Sequence, residues 1–421
     1  MLPRLVRIRQ KVPAESISDL NKEIDDSFAK IGIDLTSLKG LKVGITAGSR
    51  GINAYPKILQ IIVERIKKAQ GYPIIIPSMG SHGGGTVEGQ LRVLESLGIT
   101  EESVGAPIAK CVDSIKIGET DLGVSVYCNV EATKVDRLII VNRIKAHTDF
   151  EGQIESGLCK MMAIGLGSAK GCVQVHSHAL IAGYEEVITS VAKFMMEKLP
   201  IFLGVAILEN WKGETAEIKA ILPENLIEEE KKLLAKVKTK TIKLPIKNID
   251  VLVVGEMGKN ISGTGMDTKV IGRIMVLGQK EPEFPKIKRI VVLNLTPQSH
   301  GNAIGIGLAD ITTEKVFNSI NIRDTSLNSI SSMCLEQGRL PCIVANDKEA
   351  IKSAILTSGV LNYKDVRLVY IQNTLNLENL AVSESLFEEV AMNDQLEITG
   401  ELEELKFDEN GFLLNFQGGK I

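Results

Sequence analysis

The sequence predicts an α/β protein with two α/β domains, mainly parallel sheets and an active-site cleft between the domains. Short runs of β-branched residues alternate with stretches whose apolar residues recur at helical spacing. This alternation is typical of strand–helix–strand units with right-handed crossovers. The chain has 421 residues, which is long for a single hydrophobic core and therefore favours two domains.

A first series of strands and helices is predicted in the N-terminal half. One helix is expected over 54–70 and a second after Thr86, whose hydroxyl suits the N-cap position. A hairpin over 115–129 and a charged helix over 223–240 complete this series. The buried strands of the series are predicted at 41–48, 71–78, 136–144 and 201–209.

A second series of strands follows the charged helix, so we place a domain boundary near residue 245. The predicted domains are residues 1–245 and 246–421, and the second is expected to close the cleft. Its strands are predicted at 249–257, 288–296, 340–347 and 366–374. The end of the chain, 396–416, alternates as edge strands do around a turn at 408–411.

Composition excludes several classes of protein. Hydrophobic residues make up 44% and charged residues 24%, as in water-soluble globular proteins. The net charge of −3 gives no basic field for nucleic acid or membrane, and only 4% of residues are aromatic. We find no signal peptide and no apolar run long enough to cross a bilayer, so we expect a cytoplasmic protein. The sequence is compatible with an oligomer.

The cysteines are scattered without a C-x-x-C pair and are interpreted as reduced thiols. They are Cys111, Cys128, Cys159, Cys172, Cys334 and Cys342.

Polar, glycine-rich stretches follow several predicted strands, where ligands of open α/β sheets bind. In the first, Gly48, Ser49 and Arg50 precede a helix start, so backbone amides and a guanidinium group are available to a phosphate. A surface turn with a solvated arginine is the alternative. In the second, three glycines follow His82 and leave room for a ligand, although a flexible turn also explains them. The other two stretches, 255–267 and 296–310, do not match nucleotide-binding motifs.

Three of the five histidines surround one lysine in a segment with few other charges. Lys160 lies in an apolar, glycine-flanked setting, where it either extends to water or loses its charge and becomes a nucleophile or attachment point. His147 follows a predicted strand, whereas His176 and His178 precede a helix predicted at 179–199. In an extended segment the last two would point to one side, and in a helix they would diverge. A helix-capping pair is the alternative.

These motifs together resemble those of the nickel-pincer lactate racemase (LarA-like) family. The motifs appear in the order A-G-S-R, G-S-H-G-G-G, H-T-D-F-E-G, E-S-G-L-C-K, V-H and G-K-N-I-S-G-T-G-M-D, within about 40–345. The most specific feature is a lysine followed sixteen positions later by a histidine, Lys160 and His176.

The resemblance implies a cofactor and the residues that hold it. The cofactor would be the nickel-pincer nucleotide, a pyridinium-3-thioamide-5-thiocarboxylic acid mononucleotide carrying nickel, attached to Lys160. His176 would be the protein ligand of nickel. Arg50, with Ser49 and Gly48 nearby, would bind the cofactor phosphate. Proteins that synthesise this cofactor are the implied partners.

The resemblance also implies a reaction, the racemisation or epimerisation of a 2-hydroxy acid by reversible hydride transfer. His147 would be one acid/base, since a neutral imidazole suits the hydroxyl proton. The second catalytic histidine of lactate racemase has no match in 105–118, so His82 or His300 is a candidate. This difference favours a sugar acid or another hydroxy acid over lactate as the substrate. The candidate substrate contacts are Lys259, Asn260, Asp267 and Arg273.

Two other classes of function remain open. One is a cofactor-free α/β enzyme that binds a phosphorylated small molecule through Arg50 and the glycine-rich loops. The other is a non-catalytic protein that binds a metal or a nucleotide.

Overall fold

The computed structural model describes residues 2–416, which form two compact units. The first unit consists of Ala14–His147 and Glu151–Thr241. The second unit consists of the chain up to Pro13, the segment Thr148–Phe150 and the chain from Ile242 onward.

The strands among the described residues are β1 (Leu5–Gln10), β2 (Lys42–Ala47), β3 (Tyr72–Pro77), β4 (Ser114–Glu119), β5 (Ser125–Asn129), β6 (Arg137–Arg143), β7 (Ile201–Glu209), β8 (Thr215–Ile221), β9 (Asn248–Val254), β10 (Lys286–Val292), β11 (Ile311–Thr313), β12 (Cys342–Val344), β13 (Leu368–Ile371), β14 (Asn379–Ser383) and β15 (Leu396–Ile398). The helices are α1 (Leu20–Lys30), α2 (Tyr55–Lys68), α3 (Val87–Ser96), α4 (Glu101–Val104), α5 (Leu158–Lys160), α6 (Ser168–Ala182), α7 (Tyr184–Lys198), α8 (Leu226–Lys240), α9 (Glu314–Ser319), α10 (Ile322–Ser331), α11 (Asp347–Thr357) and α12 (Phe387–Ala391). A π-helical segment, Met161–Leu166, joins α5 to α6.

The first unit contains a five-stranded sheet in the order β3-β2-β6-β7-β8. The pairings from β3 through β7 are parallel, and β8 is antiparallel to β7. The four strands predicted in this half and the α/β class are confirmed. Since parallel strands end at the same edge of a sheet, the loops after β2, β3, β6 and β7 all begin there.

The core of the first unit lies between this sheet and its helices. Ile45 of β2, Val141 of β6 and Val205 of β7 are fully buried together with Ile58 and Ile62 of α2. The apolar residues of α2 recur at helical spacing, which is why one face of the helix is buried and the other is exposed. The predicted helix at 54–70 and the hairpin of β4 and β5 are also confirmed.

Helix α8 packs against β7. A Cβ atom at Gly204 of β7 would lie 2.8 Å from Leu158 Cδ1 and 3.1 Å from Leu226 Cδ1. Because Gly204 has no side chain, residues of both α5 and α8 can pack against β7 at this position.

The second unit contains an eight-stranded sheet in the order β12-β11-β10-β9-β13-β14-β1-β15. The first five strands are parallel, and β14, β1 and β15 pair antiparallel. Its core contains Val253 of β9, Val291 of β10 and Ala354 of α11. The four strands predicted in this half are present but shorter than predicted. The limits 1–245 and 246–421 differ from the observed units at the N-terminus, because Leu5 pairs with Ser383.

Two local predictions are corrected. The helix predicted at 179–199 is two helices, α6 and α7, which separate at Gly183, where φ is 88°. His176 and His178 consequently lie inside α6. Of the edge strands expected over 396–416, Leu396–Ile398 is present as β15 at the edge of the sheet. The turn at 408–411 is flanked by a bridge between Phe407 and Leu413 in place of strands, because Asp408 accepts the Phe412 amide and folds the chain into a turn.

None of the helices in residues 2–416 is both long enough and apolar enough to cross a membrane.

Candidate functional site

The loop after β2 is held by two hydrogen bonds from its backbone. The Gly48 amide donates to the Tyr55 hydroxyl over 3.1 Å, and the Asn53 amide donates to Glu209 Oε1 over 2.7 Å. Burial raises the pKa of Tyr55 to about 12, so its hydroxyl is neutral and accepts the amide. The loop therefore keeps a defined path past Ser49 and Arg50.

Two guanidinium groups lie near this loop. Arg50 is exposed, yet surrounding atoms partly desolvate it, and this lowers its pKa; the positive charge of Arg143 lowers it further. Arg143 itself forms an ion pair with Glu209. Two guanidinium groups close enough to affect each other suit an anionic ligand.

Ser49 and His82 come from the first two loops and meet in a hydrogen bond between Ser49 Oγ and His82 Nδ1. From the sequence the two residues are expected to have different roles, phosphate binding and acid/base catalysis. A hydroxyl on Nδ1 fixes the orientation of the imidazole ring and favours one tautomer. Ser49 is therefore available to position His82, whichever of the two atoms donates.

The glycines after His82 have a structural explanation. Gly83, Gly84 and Gly85 all have positive φ, of 66°, 67° and 65°. A Cβ atom at Gly89 in α3 would lie 1.7 Å from the Gly83 carbonyl oxygen, so the loop and the helix touch through backbone. Of the three, only Gly84 has no atom within 4 Å of the position that a Cβ atom would take. The tight turn thus accounts for this run of glycines.

Lys160 is the last residue of α5 and immediately precedes the π-helical segment. Its side chain is half-buried. The preceding amide, that of Cys159, donates to the buried carboxylate of Glu230 over 2.9 Å. π-Helical segments are uncommon and occur often at functional sites.

His176 has the properties of a neutral imidazole. It is half-buried, and its Nδ1 lies 3.2 Å from the Tyr184 hydroxyl, with the two rings edge to face. Burial, followed by the positive charge of Lys160, lowers its pKa to about 4. When Nδ1 carries the proton, Nε2 keeps a lone pair that can bind a metal.

Lys160 also influences Cys172, which the sequence analysis did not single out. Burial raises the pKa of this thiol, whereas a hydrogen bond with Ser81 and the charge of Lys160 oppose the rise. The Ser81 loop, α6 and Lys160 therefore meet in one region of the first unit. No sequence pattern marks Cys172, since its role depends on where α6 packs.

His178 diverges from His176, as expected for residues two apart in a helix. Its Nδ1 donates to the Gln174 carbonyl over 2.8 Å, and its charge lowers the pKa of Glu119 in β4 after the larger effects of Lys116. His178 thus faces β4.

His147 lies in the loop after β6, which closes on a buried carboxylate. The amides of His147 and Gly152 both donate to Glu155, which is fully buried. Lys238 Nζ of α8 completes the arrangement at 2.5 Å from Glu155 Oε1. The backbone at His147 is therefore tied to α8.

The candidate substrate residues in the second unit have structural partners. Lys259 Nζ donates to the Gly263 carbonyl over 2.7 Å and to Asn328 Oδ1 over 3.0 Å. Arg273 forms an ion pair with Asp310 at 3.0 Å. These bonds account for both side chains without a substrate.

The remaining candidates of the second unit stabilise loops. Asn260 Oδ1 accepts the Thr296 hydroxyl over 2.6 Å, and Asp267 Oδ1 accepts the Lys269 amide over 3.0 Å. His300 is exposed and has a φ of 49° at the end of a short 3₁₀ turn. Their roles in substrate binding or catalysis stay predictions.

Within residues 2–416, no three His, Cys, Asp or Glu side chains lie together as a metal-binding group.

Residues 48–187 match the family model described as the lactate racemase N-terminal domain. This segment contains Arg50, His82, His147, Lys160 and His176. The fold is similar to that of the lactate racemase apoprotein from Thermoanaerobacterium thermosaccharolyticum, with a TM-score of 0.52 and 13% identity over 87% of this chain and 94% of that one. A crystal structure of a Thermotoga maritima protein aligns with a TM-score of 0.49 and 10% identity over 84% of this chain and 96% of that one.

No curated protein sequence matches this chain. The fold and the family match define an α/β protein with a lactate racemase N-terminal domain. The match of residues 48–187 and the similar fold confirm the resemblance drawn from the motifs.

Proposed function

We propose that this protein is a nickel-pincer-dependent racemase or epimerase acting on a 2-hydroxy acid. The observation that carries the proposal is the neutral imidazole of His176, whose pKa is lowered by burial and then by the charge of Lys160 on the other side of the π-helical segment. The match of residues 48–187 to the lactate racemase N-terminal domain supports the same activity.

The donor groups fit the proposed cofactor. A nickel ion bound mainly by an organic group needs few protein ligands, and His176, with its pKa of about 4, is a neutral donor at physiological pH. Lys160 offers a primary amine as the point of attachment. Tyr184 would hold the ring of His176 in orientation, as partners of metal-bound histidines commonly do.

The phosphate of the proposed cofactor would be attracted to a positively charged part of the first unit. Arg50 and Arg143 supply positive charge beside the loop that starts at Gly48, and Glu209 offsets part of it. We assign phosphate binding to Arg50 and the loop backbone. Ser49 is assigned instead to His82, its hydrogen-bond partner.

When bound, the cofactor would accept and return the hydride of the substrate α-carbon. The protein would move the hydroxyl proton, for which His147 and His82 are the candidates. Each would accept the proton at a neutral imidazole nitrogen and return it after hydride transfer. Glu155 would fix the backbone at His147, and Ser49 would orient His82.

A cofactor-free enzyme acting on a phosphorylated small molecule is the second candidate. The charge of Arg143 beside Arg50 favours it, because an anion of any origin would be attracted there. It differs from the first proposal in needing neither Lys160 nor His176.

Nickel analysis and α-carbon hydrogen exchange distinguish the two. The protein is prepared from a host that also expresses the cofactor-synthesis proteins. It is then incubated in ²H₂O with a panel of 2-hydroxy acids, including sugar acids. We expect bound nickel and inversion or deuterium incorporation at one of these substrates. Binding of phosphate esters by a protein that contains neither nickel nor an adduct would favour the second candidate.

A further inference from the structure

Helix α8 contributes two buried contacts to the loops that contain the candidate catalytic residues. Glu230 and Lys238 are eight residues apart on this helix, or about two turns. The sequence predicts a charged helix here and does not mark either residue. The two residues differ from their neighbours in what they contact.

Lys238 holds the loop of His147. Its Nζ lies 2.5 Å from Glu155 Oε1 and donates to the Gly152 carbonyl over 2.8 Å. Glu155 has no exposed surface and accepts the amides of His147 and Gly152. A buried carboxylate is costly without compensation, so the ammonium group of Lys238 stabilises Glu155 beneath this loop.

Glu230 holds the turn of Lys160. Its Oε2 accepts the Cys159 amide over 2.9 Å. A Cβ atom at residue 157 would lie only 2.2 Å from Glu230 Oε1, so Gly157 is required for the carboxylate to approach. Leu158, next to Cys159, and Leu226, one turn before Glu230 on α8, both approach Gly204.

Two pairs of charges on α8 lie within the helix itself. Glu228 pairs with Lys231, and Glu229 pairs with Lys232, at spacings of three residues on the helix surface. Such exposed pairs contribute little to stability. They provide matched controls on the same helix.

We propose that Glu230 and Lys238 are positioning residues, which fix from one rigid helix the backbone on which Lys160 and His147 lie. The inference rests on the proposed function for the roles of Lys160 and His147. Neither Glu230 nor Lys238 takes part in the chemistry. Together they fix the positions of the Cα atoms of Lys160 and His147, from which the amine and the imidazole extend.

Amide hydrogen exchange tests the proposal on the full chain without cofactor. Three amides report the two contacts: His147 and Gly152 for Lys238, and Cys159 for Glu230. We expect Lys238→Met to speed exchange at the first two about tenfold or more, as loss of a charge-assisted hydrogen bond predicts, while Cys159 is unchanged. Glu230→Ala should have the converse effect. Lys232→Met and Glu228→Ala are the controls.

Lysine acetylation provides a readout that a merely structural contact would not change. The acetylation rate of Lys160, relative to that of the exposed Lys57 in the same sample, is expected to change several-fold in Glu230→Ala, by analogy with the loss of one hydrogen bond. Glu230→Gln keeps a carbonyl acceptor and should restore the wild-type rate. Lys238→Arg should likewise restore protection at His147 and Gly152.

Two results would overturn the proposal. One is exchange at the three amides that matches the controls. The other is an unchanged Lys160 rate despite faster exchange at Cys159. If Glu230→Ala or Lys238→Met does not fold, the conservative variants Glu230→Gln and Lys238→Arg test the proposal. Loss of protection from hydrogen exchange at the three amides in these variants contradicts the proposal, and retained protection supports it. No readout requires cofactor, so failure here is distinct from failure of the proposed function.

Discussion

The positive charge of Lys160 acts on His176, sixteen positions later in the chain, and together with burial keeps its imidazole neutral. The π-helical segment and the start of α6 separate the two residues. An ammonium group and a half-buried imidazole would ordinarily be poor neighbours, since each disfavours the charged form of the other. The nearby ammonium group is an advantage where the imidazole must stay unprotonated, because a metal binds only the neutral form.

Replacing Lys160 should change the titration of His176. In Lys160→Met the pKa of His176 should rise above its wild-type value of about 4 but stay below 6.5, because burial, the larger cause, remains. NMR titration of the histidine ring carbons measures both values. Lys170→Met, in the same helix as His176, is the control and should leave the titration unchanged. A wild-type pKa near 6.5 would contradict this description of the site.

The depressed pKa of His176 also affects stability. The unfolded chain takes up a proton near pH 6.5, whereas the folded protein does so only near pH 4. The free energy of unfolding should therefore decrease as the pH falls through this window. Lys160→Met should reduce the decrease, which denaturant unfolding at pH 4, 5 and 7 would reveal.

Glu230 should contribute to stability with the opposite pH dependence. Burial raises its pKa from 4.5 to about 7, although hydrogen bonds from Cys159 and Leu158 oppose the rise. The stabilising contribution is complete below pH 4.5 and is lost as the pH rises through 7. Glu230→Gln removes this dependence, so the variant should gain up to about 3 kcal/mol relative to wild type between pH 5 and pH 8. Calorimetric melting at both values measures this gain. An equal difference in melting temperature at the two values would show that Glu230 is not titrating in this range.

Ser49→Ala distinguishes the two roles considered for this serine. If Ser49 positions His82, the variant should retain nickel and cofactor but lose up to about tenfold in the rate of α-carbon exchange, which corresponds to one hydrogen bond. Ser49→Thr keeps the hydroxyl and should recover part of the rate. Loss of bound cofactor in Ser49→Ala, measured by nickel content, would instead support phosphate binding.

The contact between Gly83 and Gly89 should be sensitive to a single methyl group. Gly89→Ala would place Cβ 1.7 Å from the Gly83 carbonyl oxygen, and we expect a destabilisation of about 1–3 kcal/mol from overpacking. Gly84→Ala has open space and should show only the cost of its left-handed φ, about 1 kcal/mol. Urea unfolding of the two variants gives the comparison. Similar losses in both would mean that the loop moves away from α3.

Local patterns predicted the parts of the fold that depend on short-range information. The runs at 41–48 and 201–209 are strands because buried parallel strands are apolar along their whole length. The placement of Leu5–Gln10 was not predictable, since its partner Asn379–Ser383 is far away in the chain. The helix around His176 was missed because its glycine, valine and polar residues show no clear amphipathic period.

The site was predicted in the same uneven way. Lys160 and His176 follow from the family resemblance, and their spacing alone does not define a site. Glu155, Glu230 and Lys238 were missed because a charged residue in a loop or a polar helix usually stays solvated. Only tertiary packing shows that these three are engaged beneath the loops.

The proposed function depends most directly on the attachment of a nickel-containing cofactor to Lys160. Protein co-expressed with the cofactor-synthesis proteins should contain about one nickel per chain, the stoichiometry expected for one histidine-ligated site. Peptide mass spectrometry should find a covalent addition on Lys160 and none in Lys160→Ala, and His176→Ala should lose nickel while keeping part of the addition. An unmodified Lys160 in protein that racemises a hydroxy acid, or an adduct that persists in Lys160→Ala, would contradict the account.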